Sequence, residues 1–253
     1  TLTTSTFSYT GSWLHDQPNG KGARQHLEPG GVFYNGCFLN GLMHGEGVLT
    51  ETVRGGSGVC VTKGTWSENI LNGKGETLLA DGDHYKGCFY NGLRSGHGVY
   101  TSTDGSVFEG EWAKDVQCGR GQLTFGTAVF VSCLESQSNE GRVAVDLVVG
   151  DQQAVYVGEF RRGLLNGYGK LHLPDGGHFE GLFLDGLPHD HGTMRFPSGA
   201  QLSGEFKYGH PSEGTMIYEP VSVQERYTGQ WGADARKSAL DFRTLLAPLK
   251  GTG

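Results

Sequence analysis

An aromatic-x-Gly-x-aromatic pattern returns along this chain at a nearly constant interval, and it restricts the fold more than any other feature. The stretch YNGCFLNGLMHGEGVLT (34–50) recurs almost unchanged as YKGCFYNGLRSGHGVYT (85–101). Starts fall at residues 9, 34, 62, 85, 108, 156, 179, 202 and 227, so the step is 23 to 28 residues with one double step of 48. Inside the double step, residues 130–145 align with Phe130 in the Tyr34 slot and Ser132 in place of the motif glycine. That is nine full repeats and a tenth that begins and breaks off. A fixed period of this length marks a repeat architecture.

Each unit has one grammar. The aromatic pair is followed by a turn such as LNG (39–41), a Gly-x-Gly such as GEG (45–47), an apolar segment and then an Asp-Gly, as at Asp81-Gly82 and Asp175-Gly176. Apolar alternation broken by Asn-Gly and Asp-Gly predicts β-hairpins, because those residues accept the positive φ of tight turns. On an extended strand Tyr85, Gly87 and Phe89 share one face. The glycine leaves room for a ring, which is expected to come from the neighbouring repeat. One hairpin cannot bury its own aromatics, whereas a stack can. At about 10 Å per repeat, ten repeats would span on the order of 100 Å.

These units resemble MORN repeats (membrane occupation and recognition nexus), whose pattern Y-x-G-x-[WF]-x-x-G-x-x-x-G-x-G is followed throughout by residues 85–98 and 156–169. The resemblance covers about 9–231. Departures are Thr62 for the first aromatic, Ser132 for the glycine, Leu202 for the tyrosine, and Met194 and Met216 read as replacing the second glycine of Gly-x-Gly. The resemblance implies an all-β fold: an elongated, single-layer antiparallel array of hairpins with an aromatic-lined concave groove. It implies scaffolding in cytoskeletal, ciliary or membrane-contact assemblies, frequent dimerisation, and a groove that receives a partner helix or peptide. Family members that append a SET methyltransferase, a lipid kinase or an exchange factor have a domain for it; here the repeats take nearly all the residues.

The expected organisation is an N-terminal extension (1–8), the array (9–231, degenerate near 130–155) and a C-terminal segment (232–253). Residues 234–246 lack Gly and Pro and put Ala239, Phe242 and Leu246 on one stripe, with Asp234 as N-cap. This predicts a short helix that caps the last hairpin or docks on a partner.

The expected groove comprises two rows. Trp13, Phe38, Trp66, Phe89, Trp112, Phe160, Phe183, Phe206 and Trp231 form one; Tyr9, Tyr34, Tyr85, Phe108, Tyr156, Phe179 and Tyr227 form the other. A single-layer sheet has no second layer over that face, so ring edges are expected to meet a partner helix, a peptide or a second copy. On the opposite face Glu109, Glu111, Glu159, Glu180 and Glu205 read as a solvated face or a docking strip for a basic partner.

No cofactor or metal is expected. The densest histidine cluster, PHDHG (188–192), offers His189 and His191, but His191 is aligned with His44 in a turn slot held elsewhere by Asn or Ser. Five cysteines without a C-x-x-C argue against disulfides and a zinc site and for a reducing compartment. The localisation read from this and from the resemblance is intracellular, cytoplasmic or cytoskeletal and ciliary, with organelles open. Neither a phosphate-binding loop nor a nucleophile-base pair is present, so the chain is not read as an enzyme.

A net charge of −7 argues against nucleic acid as a partner. Residues 1–126 hold 9 Lys/Arg against 12 Asp/Glu and residues 127–253 hold 11 against 15, which also disfavours anionic membrane. The preferred reading is a non-catalytic scaffold or adaptor binding proteins in a multisubunit assembly, a homodimer included. The alternatives are a peripheral membrane adaptor for anionic phospholipids and an accessory subunit of an enzyme complex.

Overall fold

In the computed structural model, residues 1–27, 31–53, 58–126, 153–217 and 227–230 are described. Among them every regular element is a β-strand, and strands follow one another antiparallel in hairpin order. The chain divides into two compact units, Thr1–Thr103 with Glu111–Val116, and Asp104–Gly110 with Gln117–Gly253. The expected C-terminal helix (232–253) and most of the degenerate repeat (127–152) lie outside the described residues.

The first unit contains β1 (Leu2–Thr3), β2 (Phe7–Leu14), β3 (Gln17–His26), β4 (Val32–Leu39), β5 (Leu42–Thr52), β6 (Val59–Ser67), β7 (Ile70–Leu78), β8 (His84–Tyr90) and β9 (Leu93–Thr101). Each pairs with the next, and the motif glycines face each other across the pairs, as Gly36 does with Gly47 and Gly87 with Gly98. Two-residue turns close the hairpins. Asn40-Gly41 and Asn91-Gly92 have positive φ at both positions, as primed turns require, and so do His15-Asp16 and Glu68-Asn69 without any glycine.

The second unit contains most of β10 (Val107–Ala113) and β11 (Val116–Thr124), then β12 (Val155–Arg161), β13 (Leu164–His172), β14 (His178–Leu184), β15 (Leu187–Arg195), β16 (Gln201–Lys207), β17 (His210–Ile217) and β18 (Tyr227–Gln230). Glycine pairs recur in register here too: Gly158 with Gly169, Gly181 with Gly192 and Gly204 with Gly214. Asp-Gly connections fold alike, the aspartate accepting a hydrogen bond from the N–H two residues on: Asp104 from Ser106 and Asp175 from Gly177.

Register corrects two readings. Gly192 and Gly214 are the paired second glycines, so Met194 and Met216 do not replace them; Met194 is a buried residue in the slot of Leu49. By the same register His189, not His191, shares the His44 slot, and Asp190 takes the positive-φ place of the first glycine.

A third correction concerns the rings. The glycines do not receive the aromatic of a neighbour: Tyr34 folds over Gly36 and Gly47 of its own hairpin, so close that a Cβ on Gly47 would lie 2.1 Å from the tyrosine oxygen. Tyr85, Tyr156 and Phe179 cover their own glycine pairs in the same way. The reason is the ring's reach: with no Cβ on either glycine, it lies flat across both strands. Where Thr62 replaces the aromatic, Leu71 covers Gly64 and Phe89 of the next repeat covers Gly75.

Candidate partner-binding surface

The two aromatic rows interlock. Phe38 stands edge-on to Tyr34 of its own repeat and to Tyr9 of the preceding one, at 5.1 Å and near 90° in both cases. Phe183 does the same between Tyr156 and Phe179, and Phe160 between Phe108 and Tyr156. Edge-to-face pairs add about 0.5–1.5 kcal/mol each beyond burial.

This packing changes what the rows offer. Tyr9, Tyr34, Phe38, Trp66, Tyr85, Phe89, Phe108, Trp112, Tyr156, Phe160, Phe179, Phe183 and Phe206 are all buried, by one another and by the aliphatic residues of the second strands. Among the expected groove residues with described side chains, Trp13 alone is exposed, at 39 %. The side chains of Tyr227 and Trp231 lie outside the description. The rows are an interior rather than a set of presented ring edges.

Apolar surface appears instead on the opposite face, beside the turns. Leu39 and Leu42 close one hairpin and Tyr90 and Leu93 another, and all four are exposed, Tyr90 to 68 %. Leu14 and Ile70 hold the corresponding places in the first and third hairpins and are exposed too. Sequence reading missed this row because strand alternation was applied to the aromatics and not carried through to the residue beside the turn.

The five acidic residues do project from that opposite face, but they are interleaved with cations. Arg120 stands across from Glu159, and Lys170 across from Glu180. Glu180 also accepts a hydrogen bond from Tyr168 at 2.6 Å, which with Lys170 lowers its pKa. Glu109 and Glu111 are exposed, and Glu205 is half-buried opposite His191. In the first unit the face carries Lys63, Lys74 and Lys86 around a shallow cavity of about 490 Å³, together with Glu46, Glu76 and His97. Among the described residues no group of three or more His, Cys, Asp or Glu could hold a metal ion. Cys37, Cys60, Cys88 and Cys118 form no disulfide among the described residues.

Three polar residues on the aromatic side were not anticipated. Asp83 is buried at a strand start and accepts hydrogen bonds from the Tyr100 hydroxyl and, at 2.9 Å, the Thr103 N–H. Burial alone would raise its pKa, but these donors more than offset that and lower it. Arg94 lies over the rings of Trp112, Tyr85 and Tyr100 and pairs with Asp115 at 3.0 Å. Arg24 takes the core slot that Leu49 fills one repeat later.

Comparison with known proteins agrees with this geometry. The model of the MORN repeat matches residues 9–25, 34–50, 63–84, 85–107, 108–127, 156–178 and 179–201, more than half of the chain. The chain belongs to the MORN-repeat family. It is similar to alsin of Homo sapiens and of Mus musculus, 34 % identical over 119 residues in each case, or 45 % of this chain. It is likewise 34 % identical over 95 residues to the ALS2 C-terminal-like protein of Homo sapiens, 38 % of this chain. These matches span 7 % of alsin and 10 % of the second protein.

Proposed function

We propose that this MORN-repeat chain is a non-catalytic scaffold that binds partner proteins within a larger assembly. The observation that carries the reading is the exposed apolar row at the hairpin turns: Leu14, Leu39, Leu42, Ile70, Tyr90 and Leu93 recur at the repeat period on a face that no described residue of their unit covers. Contiguous exposed apolar surface marks interaction sites, and a periodic row suits an extended partner such as a helix or a second copy. The buried aromatic rows on the other side of the sheet hold this surface in place. Cysteines that form no disulfide among the described residues suit a reducing, intracellular compartment.

The test is capture from the native source with the intact chain and a Leu39→Glu/Tyr90→Glu variant. A defined set of proteins at fixed stoichiometry, surviving moderate salt and lost with the variant, is expected. Recovery of the bare chain would overturn the reading.

The lysine-lined cavity favours a second reading, attraction to anionic phospholipid heads. Glu46 and Glu76 sit among those lysines and reduce the field. Salt-sensitive binding of the pure chain to phosphatidylserine vesicles, lost in Lys63→Glu/Lys86→Glu, would replace the scaffold reading with this one.

A further inference from the structure

Two arginines in the first unit bring their guanidinium groups to equivalent places in different repeats. Arg94 lies 4.6 Å from the Trp112 ring and donates to the backbone carbonyl of Asp115 in the following turn. Arg24 lies 4.9 Å from the Phe38 ring, the residue equivalent to Trp112, and donates to the carbonyl of Gly41, the turn residue equivalent to Asp115. The equivalence of the turns is visible in the backbone: Asp115 N–H donates to Arg94 O and Gly41 N–H to Pro18 O, from matching slots.

The two sites differ in one respect. Arg94 has a carboxylate, Asp115 Oδ1, on its Nε at 3.0 Å. Arg24 has glycine at that turn position, and its buried Nε has no hydrogen-bond partner. No carboxylate among the described residues pairs with it, and burial draws its pKa below the ordinary arginine value. A cavity of about 360 Å³ opens beside it, walled by Tyr34, Met43, Leu49 and Trp66, with Glu51 and His26 also lining it. A half-buried guanidinium without its anion is unfavourable, and a carboxylate on an arginine fork is among the stronger charge-assisted contacts.

We propose that Arg24 receives the side-chain carboxylate of an Asp or Glu from a partner polypeptide, in the place that Asp115 takes at Arg94. This goes beyond the apolar row, since Arg24 lies on the aromatic side of the sheet, and it rests on the protein-binding reading. An apolar side chain next to that acid lies against Met43, Leu49 and Trp66. Glu51 in the same cavity weighs against a doubly charged phosphate, and the occupied version of the site in this molecule uses a carboxylate.

The molecule also supplies its own control. Gly41 has φ +78°, and a Cβ there would find only Pro18 Cδ at 4.0 Å; Asp115 adopts φ 68°. Gly41→Asp therefore builds the missing carboxylate into the chain. The experiment follows the arginine Nε–Hε resonances of the full-length, isotope-labelled protein by NMR during titration with a blocked Leu-Asp-Leu peptide, its Leu-Asn-Leu counterpart, and inorganic phosphate.

A saturable shift of the Arg24 signal by the Asp peptide is expected, at least tenfold weaker with the Asn peptide, and abolished in Gly41→Asp. Arg24→Leu, which installs the residue found at Leu49, removes the Nε–Hε signal and so assigns it; if that variant loses its folded spectrum, Gly41→Asp still decides. Equal response to both peptides, an equal response to phosphate, or undiminished binding in Gly41→Asp would overturn the proposal. Capture of partner proteins that persists in Gly41→Asp would overturn the carboxylate site and leave the scaffold reading standing. Failure of capture by the unaltered chain alongside a saturable peptide response would do the reverse.

Discussion

At the residue scale, the unit of this fold is a tyrosine lying across two glycines. Gly47 tolerates no side chain because its Cβ would sit inside the Tyr34 phenol, and its neighbour Gly36 meets both that phenol and the facing backbone. Gly47→Ala is therefore expected to cost about 3 kcal/mol or more, as overpacking against a ring that cannot move away. Gly92→Ala, at a turn with open space around it, should cost only about 1 kcal/mol of backbone strain; urea midpoints of the two variants check the contrast. Burial in these sites raises the Tyr34 and Tyr85 pKa values to about 12. The folded state then keeps protons that the unfolded chain releases above pH 10. Stability from these residues is complete below pH 10 and falls between pH 10 and 12, by about 1.4 kcal/mol per pH unit for each phenol. Denaturant melts at pH 9, 10 and 11 would show a steepening loss, reduced in Tyr85→Phe. The glycine spacing made the need for a ring over each pair legible in the sequence, but not that the ring comes from the same hairpin. Arg24 and Arg94 were not legible, since each occupies a slot that elsewhere holds apolar or small residues, and its fit depends on which rings and which turn lie beside it.

At the scale of the hairpin, sequence and structure agree where chemistry is local. Asn40-Gly41 and Asn91-Gly92 announce primed turns, and Asp104-Gly105 and Asp175-Gly176 the connections. Agreement ends where register decides. Between Gly36/Gly47 and Phe38/Met43 the second strand carries extra residues, with Gly45 at positive φ; in the hairpin of β16 and β17 one of these is missing, since Gly204/Gly214 is followed by Phe206/Pro211. A pattern aligned by letters alone slides across such a step; the hairpin of Met194 has no residue missing, and its second glycine is Gly192, two residues before the methionine. Asp83 shows what a connection can hide: it looks like a second turn aspartate, yet it is buried beneath Tyr100. Asp83→Ala strands that hydroxyl and the Thr103 N–H without acceptors, and should destabilise the first unit by roughly 2–4 kcal/mol. Asp83→Asn, which keeps an acceptor oxygen, should lose less. Chemical denaturation of both variants, followed by tryptophan fluorescence from Trp112 beside Tyr100, reads the difference.

At the scale of the whole molecule, the described strands pair with their chain neighbours, and the same contact recurs from hairpin to hairpin. Stability in such an array is a sum of repeat terms and nearest-neighbour interfaces, so damage should stay local. Phe179 offers the sharpest case. Its ring covers Gly181 and Gly192 and stands edge-on to Phe183 and Phe206. Phe179→Ala removes that cover and leaves a cavity costing about 3–5 kcal/mol. If the neighbour rule holds, amide hydrogen exchange should accelerate in β13 to β16 while protection in β3 to β5 stays as it was. Uniform acceleration across all strands would instead mean one cooperative body, in which a partner held at Arg24 stabilises every repeat at once. The two outcomes separate a scaffold whose repeats can be tuned one at a time from one that stands or fails together.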